Sequence, residues 1–357
     1  MRYRSSALAL ACALVLAIFA TPTTLRGPLL YDDKAAIISN PVVLGTVPLS
    51  RVWDVDFWGM NEVSSVESHK SWRPLVTLSY RANHVWHGTE PFGYHCVNVV
   101  LHTAVSMLVE PAAAGALCSQ RGSYAPALTA IIFAVHPIHV EAVQNIVGRA
   151  ELMMSLFYLF GFVAYARFAC GATVGGPSAP SGARQLLGIG LTLAFTLSAT
   201  LCKETGVTLP ILCAGWDVLH TPGLQPTVLL HWPLHWLLWP LLRPGVLPPP
   251  PPVRVRRGRA LLLRCSTVLA GGALVAIWRL RRNGGTPATF NGFENPAALH
   301  PVAMLRVLSI MWVWAEYAWV VLWPSPLSCD WSYPALPPIS GLDDARLPAL
   351  VRAHAWR

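Results

Sequence analysis

Four short stretches carry ionisable side chains in patterns that could do chemistry. Tyr31-Asp32-Asp33-Lys34 sets two carboxylates side by side, which suits a general base or a metal site. Ser68-His69-Lys70-Ser71-Trp72-Arg73-Pro74 puts two cations just ahead of an apolar stretch, where they can hold a phosphate. His136-Pro137-Ile138-His139-Val140-Glu141 leads towards Gly148-Arg149-Ala150-Glu151. His136 and His139 can share one helical face, but His139 and Glu141 cannot. As a metal site this group lacks further ligands and a zinc spacing. Cys202-Lys203-Glu204-Thr205-Gly206 is a charged turn between two apolar runs. Each stretch also has a plainer reading: a capped helix start, an anchor in the headgroup layer, a loop, or a helix–helix turn.

The chain around these groups is unusually apolar. Of 357 residues, 54% are hydrophobic and 12% are Asp, Glu, Lys or Arg, about half the roughly 25% usual for a soluble domain. Mean hydropathy is +0.47. These values exclude a disordered chain and argue against a water-soluble globule. At about 20 apolar residues per helix there is room for about seven to nine membrane spans. The net charge of +9 then serves topology first, and no nucleic-acid partner is implied. The eight cysteines include no CxxC pair, which argues against a disulfide framework or a zinc knuckle. No P-loop, G-x-G-x-x-G, G-x-S-x-G or HExxH motif is present, and no internal repeat.

Arg2 and Arg4 precede a charge-free run that also fits a secretory signal, with small residues near Ala20; its length favours an uncleaved first helix over 1–25. The following loop, 26–90, holds Asp32, Asp33, Asp54, Asp56, Glu62, Glu67 and Glu90 with four tryptophans, and is expected on the non-cytoplasmic side. Apolar runs at 91–109, 122–140, 152–172, 185–202 and 205–219 form the next region, 91–219. Residues 226–242, broken by Pro233 and Pro240, read as an interfacial or re-entrant piece. The stretch 220–259 is proline-rich and basic, hence cytoplasmic, with Pro248 to Pro252 a stiff linker. A span is expected over 260–278 within a last region, 260–340, where 302–325 can be a span or a surface helix; 341–357 is an unmatched tail. Arg279, Arg281 and Arg282 conflict with this orientation, and the five arginines at 254–264 outweigh them. All four charged stretches then face the same side.

In order along the chain, YDDKAAIISNPVV (31–43), DFWG (56–59), SHKSWRPLVTLSYRANHVWHGTEPFGYHCVNVVLH (68–102), FAVHPIHVEAVQNIVGRAELMMSLFYLFGFVAYA (133–166) and LCKETGVTLPIL (201–212) resemble the transmembrane and tetratricopeptide-repeat (TMTC) family of protein O-mannosyltransferases. TPATFNGFENPAA (286–298) and CDWS (329–332) resemble that family's domain of unknown function. The resemblance implies an all-α, polytopic GT-C-type bundle in the endoplasmic reticulum membrane with a luminal first loop. It implies transfer of mannose from dolichyl-phosphate-mannose to Ser or Thr of luminal proteins, cadherins among them, with inversion and with no cofactor or metal. By resemblance the catalytic base is Asp32 or Asp33. Arg73, Arg149 and Lys203 are expected at the donor phosphate, with His136, His139, Glu141 and Glu204 positioning substrate. The family's repeat array is absent from the chain, so a truncated, non-catalytic membrane scaffold is the main alternative. A transporter is a weaker one, resting on Arg306 and Glu316.

Overall fold

The computed structural model describes residues 2–117, 123–170, 181–221, 252–286, 295–325, 327–328, 331 and 335–347. Twelve α-helices are described: α1 (Arg2–Phe19), α2 (Pro22–Leu25), α3 (Pro41–Leu44), α4 (Pro74–His87), α5 (Pro91–Ala116), α6 (Ala125–Val135), α7 (His139–Gln144), α8 (Arg149–Ala164), α9 (Gly182–Cys202), α10 (Leu209–His220), α11 (Pro252–Arg282) and α12 (Ala303–Leu322). No strand occurs among the described residues; a lone antiparallel bridge joins Val55 and Glu62. The helix starts are written into the sequence. Proline stands at the first turn of α3, α4, α5 and α10, where its missing N–H costs nothing.

Among the described residues, five stretches are long and apolar enough to cross a membrane: Pro91–Ala116, Ile146–Ala169, Gly182–Cys202, Ala260–Arg282 and Ala303–Leu322. The run at 302–325 is thus one helix of span length. Other boundaries differ from the sequence reading. The run 91–109 continues to Ala116, through Pro111. The run 122–140 is no single span: α6 has 11 residues, about 16 Å against the roughly 30 Å of a hydrocarbon core. Pro137 lies in the turn that separates α6 from α7, and a proline cannot continue the ladder. The run 205–219 opens with a 3-10 turn at Glu204–Thr208, so α10 keeps only 12 residues. The interfacial reading of 226–242 and nearly all of the proline run lie outside the described residues.

The chain divides into two units, Met1–Val135 with Val143–Thr286, and His136–Ala142 with Pro287–Arg357. Among the described residues, the first has two large apolar clusters and a small one of Val42, Val52 and Val55. One large cluster joins the first loop to α4, the starts of α5 and α8 and the end of α9 through Ile37, Phe57, Tyr80, Tyr94, Ile146 and Cys202. The other packs Phe162, Tyr165, Ile189, Leu209, Trp216 and Val268 between α8, α9, α10 and α11. Buried Thr192, Thr196 and Thr200 give their hydroxyls to carbonyls four residues back on α9, so these polar groups stay satisfied in an apolar setting. At the far end Asp217 takes a two-pronged contact from Arg264, at 2.9 and 3.0 Å, and a hydrogen bond from the Tyr165 hydroxyl. In the second unit the Ile339 amide donates to Ser309 of α12 at 2.8 Å. Arg346 stacks over Trp312 and pairs with Asp344, holding Asp344 well below the usual carboxylate range.

Candidate active site

The first loop is held open-ended by its own motif residues. Asn40 caps α3, accepting from Val42 and Val43, and its amide donates to the Phe57 carbonyl. Gly59, at φ +71°, lies so close to Asn40 that a Cβ would come within 2.5 Å of Oδ1. Asp56 is buried and accepts from Met60 N and Ser68 Oγ. Lys70 donates its ammonium to the carbonyls of Val63, Ser64 and Ser65. Its backbone is left-handed, at φ +64°. Lys70 is therefore spent on closing the loop and is not available to an anion.

The two aspartates are not equivalent. Asp32 is exposed. Asp33 is 3% exposed; its Oδ2 accepts the Leu30 amide at 3.1 Å and its Oδ1 the Val147 amide at 3.0 Å. Burial pushes the Asp33 carboxyl above its usual range. The Leu30 and Val147 amides pull the other way, and the charge of Asp32 adds to the rise. Just before the pair, Tyr31 is 80% exposed and held at φ +44°, a backbone state that costs on the order of 1–3 kcal/mol outside glycine.

A second group lies at the same end. Glu204 bridges two guanidiniums, Arg73 at 3.4 Å and Arg279 at 2.7 Å. Burial would raise the Glu204 carboxyl, but Arg73 and Arg279 outweigh it and hold it below its usual range. The Nε–H of each arginine is buried with no hydrogen-bond partner among the described residues. Arg73 stacks on Phe57 at 4.8 Å. Arg279 and Arg282 flank the ring of buried Trp72 at 5.1 and 5.4 Å, within cation–π range, and Arg279 also donates to the Trp72 carbonyl. Lys203 pairs with Glu151. The turn is tight because Gly206 sits against α9: a Cβ there would lie 2.4 Å from the Ala199 carbonyl carbon.

Arg149 is where the geometry departs furthest from expectation. The guanidinium is 0% exposed. It donates to Asn98 Oδ1 (2.9 Å), Ser79 Oγ (3.2 Å), Asn83 Oδ1 (2.6 Å) and the Tyr94 carbonyl (3.0 Å), and lies over the Tyr80 ring at 4.7 Å. So enclosed, it presents no face to a bound donor. His136, His139 and Glu141 belong to the second unit, where His136 Nε2 contacts the Val321 carbonyl at 2.9 Å and its ring meets His139 edge-on. They are not among the side chains the first unit brings together. Among the described residues no three His, Cys, Asp or Glu side chains gather as a metal site.

None of Arg279, Trp72, Tyr80, Asn83, Tyr94 and Asn98 is expected at the site from the sequence. A signal existed for four of them. Tyr80 and Asn83, and Tyr94 and Asn98, are three and four residues apart, so each pair puts polar groups on one face of a helix.

Span-length helices with a charged, partly enclosed assembly at one end define a multi-pass α-helical membrane protein. A family model described as "Protein O-mannosyl-transferase TMTC, DUF1736" matches residues 284–356, so the match includes nearly all of the tail 341–357, where no resemblance is expected from the motifs. The chain is 32% identical over 336 residues to human Protein O-mannosyl-transferase TMTC4, covering 91% of this chain and 43% of that protein. It is 32% identical to Drosophila melanogaster Protein O-mannosyl-transferase Tmtc3 (89% and 36%) and 34% identical to mouse Protein O-mannosyl-transferase TMTC2 (90% and 35%). No solved structure matches. The chain is thus related over most of its length to the TMTC protein O-mannosyl-transferases, and it spans less than half the length of the curated relatives it matches.

Proposed function

We propose that this chain is the membrane-embedded catalytic part of an inverting O-mannosyltransferase. It moves mannose from dolichyl-phosphate-mannose to a Ser or Thr hydroxyl of a luminal protein, a cadherin domain being the acceptor class to try first, in the endoplasmic reticulum membrane. The observation that carries this is the juxtaposition, at one end of one unit, of an exposed carboxylate beside a buried one and two arginines whose Nε–H groups have no partner among the described residues.

In this reading Asp32 is the base. It takes the proton of the acceptor hydroxyl as that oxygen attacks the anomeric carbon. The bond from that carbon to the phosphate oxygen breaks, and dolichyl phosphate leaves with the electron pair. Arg73, Arg279 and Lys203 stabilise the charge that develops there. Arg279 replaces Arg149 in that role, since Arg149 is enclosed. Asp33 fixes the loop and Glu204 holds the two arginines in register.

The test is mannosyl transfer by microsomes carrying Asp32→Asn or Asp33→Asn. Asp32→Asn should lose about 100-fold or more, the scale of a general base, with normal membrane insertion. Asp33→Asn should lose less. Transfer by Asp32→Asn within tenfold of wild type removes the proposed base.

A further inference from the structure

We propose that Arg149 is a positioning residue that sets Asp33, and with it the loop bearing Asp32, through one peptide group, and that it never touches the donor. The inference rests on the assignment of Asp32 as base, and it adds how that base is held.

The chain of contacts is short. Arg149 Nε holds Asn98 Oδ1. This leaves the Asn98 amide to donate to the carbonyls of Val143, Asn145 and Ile146, at 3.3, 3.4 and 3.4 Å. Arg149 also covers the Tyr80 ring, and the Tyr80 hydroxyl donates to the same Ile146 carbonyl at 3.0 Å. The Ile146 carbonyl and the Val147 amide are the two ends of a single peptide plane. Two donors fasten its oxygen, and its N–H points at Asp33 Oδ1, 3.0 Å away. Donors on the carbonyl polarise the N–H on the other side, so the bonds reinforce one another. Asp33 passes the constraint on through its second oxygen, which accepts from Leu30 at the start of the Tyr31–Asp32 turn.

An arginine that merely pinned α4, α5 and α8 would need none of this convergence. Of the donor-bearing side chains around the guanidinium, Asn83, Ser79 and Tyr94 donate to the carbonyls of Gly93, Val76 and Gly88, whereas Asn98 and Tyr80 both reach the one Ile146 oxygen. The guanidinium has no exposed surface from which to serve a ligand as well.

The experiment uses the full chain in nanodiscs. Tyr80→Phe removes only the hydroxyl, and Arg149→Lys keeps the charge but loses the fork. Both should lower kcat by about fivefold or more with the KM for the donor unchanged. In a double-mutant cycle, Tyr80→Phe should cost less than twofold once Asp33→Asn is present, because coupled residues are not additive. Hydrogen–deuterium exchange supplies an arm independent of transfer. In Tyr80→Phe, peptides covering 28–34 and 145–148 should exchange at least threefold faster, with the helix 91–116 unchanged. Additive losses in the cycle, unchanged exchange at 28–34, or a raised donor KM with normal kcat in Arg149→Lys would each overturn the proposal. Failure of the base assignment reads differently: Asp32→Asn stays active while the exchange arm still reports on the relay.

Discussion

Replacing Glu204 by glutamine separates two consequences of the bridge between Arg73 and Arg279. At neutral pH the carboxylate holds two guanidiniums, at 3.4 and 2.7 Å. A hydrogen bond to a charged group contributes about 1.5–3 kcal/mol. The Glu204 side chain is 40% exposed, so solvent screening argues for the low end, and glutamine keeps one acceptor oxygen. The expected loss is about 1.5 kcal/mol, close to tenfold in the unfolded population. Cys202 is fully buried two residues away and reports the opening as its rate of thiol modification. In Glu204→Gln that rate should rise about tenfold at pH 7. The pH dependence fixes the cause. A carboxyl whose folded pKa is depressed stabilises the fold above its ordinary value of 4.5, and the contribution fades as pH falls through the folded value. Wild type should therefore approach the variant below pH 4.5, and the variant should lack that limb. Equal labelling rates at pH 7, or a gap that persists unchanged into acid, would refute the reasoning.

Two further outcomes follow from features outside the charged end. Asp217→Asn leaves Arg264 of α11 without its carboxylate in a buried setting, and should cost about 3–5 kcal/mol, read as loss of monodisperse protein on detergent extraction. Gly206→Ala should prevent the turn from seating against α9, since the added carbon meets backbone at 2.4 Å; protease cleavage near 203–208 in the variant but not in wild type checks it.

The long apolar helices were legible because a 20-residue run without charge has few other uses, and α5, α9 and the apolar part of α11 stand where such runs stand. The shorter pieces were not, because hydropathy averages over a window and cannot register that Pro137 or the turn at Glu204–Thr208 divides it. The charged stretches were found, but their division of labour was hidden. Arg149 and Arg73 look alike in sequence; only packing reveals that one is walled in by Tyr80, Asn83, Tyr94 and Asn98 while the other keeps an unused donor. The same holds for Asp32 and Asp33, adjacent residues whose exposures are opposite. Arg279 is hidden for a different reason: a topology count treats every arginine as a vote on sidedness and none as a ligand.

The arginines that end α11 carry a lesson for biogenesis. A helix trailing Arg279, Arg281 and Arg282 resists export of that end by charge alone. Yet the groups that receive Arg279 and Arg282 are Trp53, Asp54, Trp72, Thr200 and Glu204, all of which leave the ribosome earlier. By the time α11 reaches the translocon, its docking partners have already been made, and orientation becomes a matter of assembly order as much as of hydropathy.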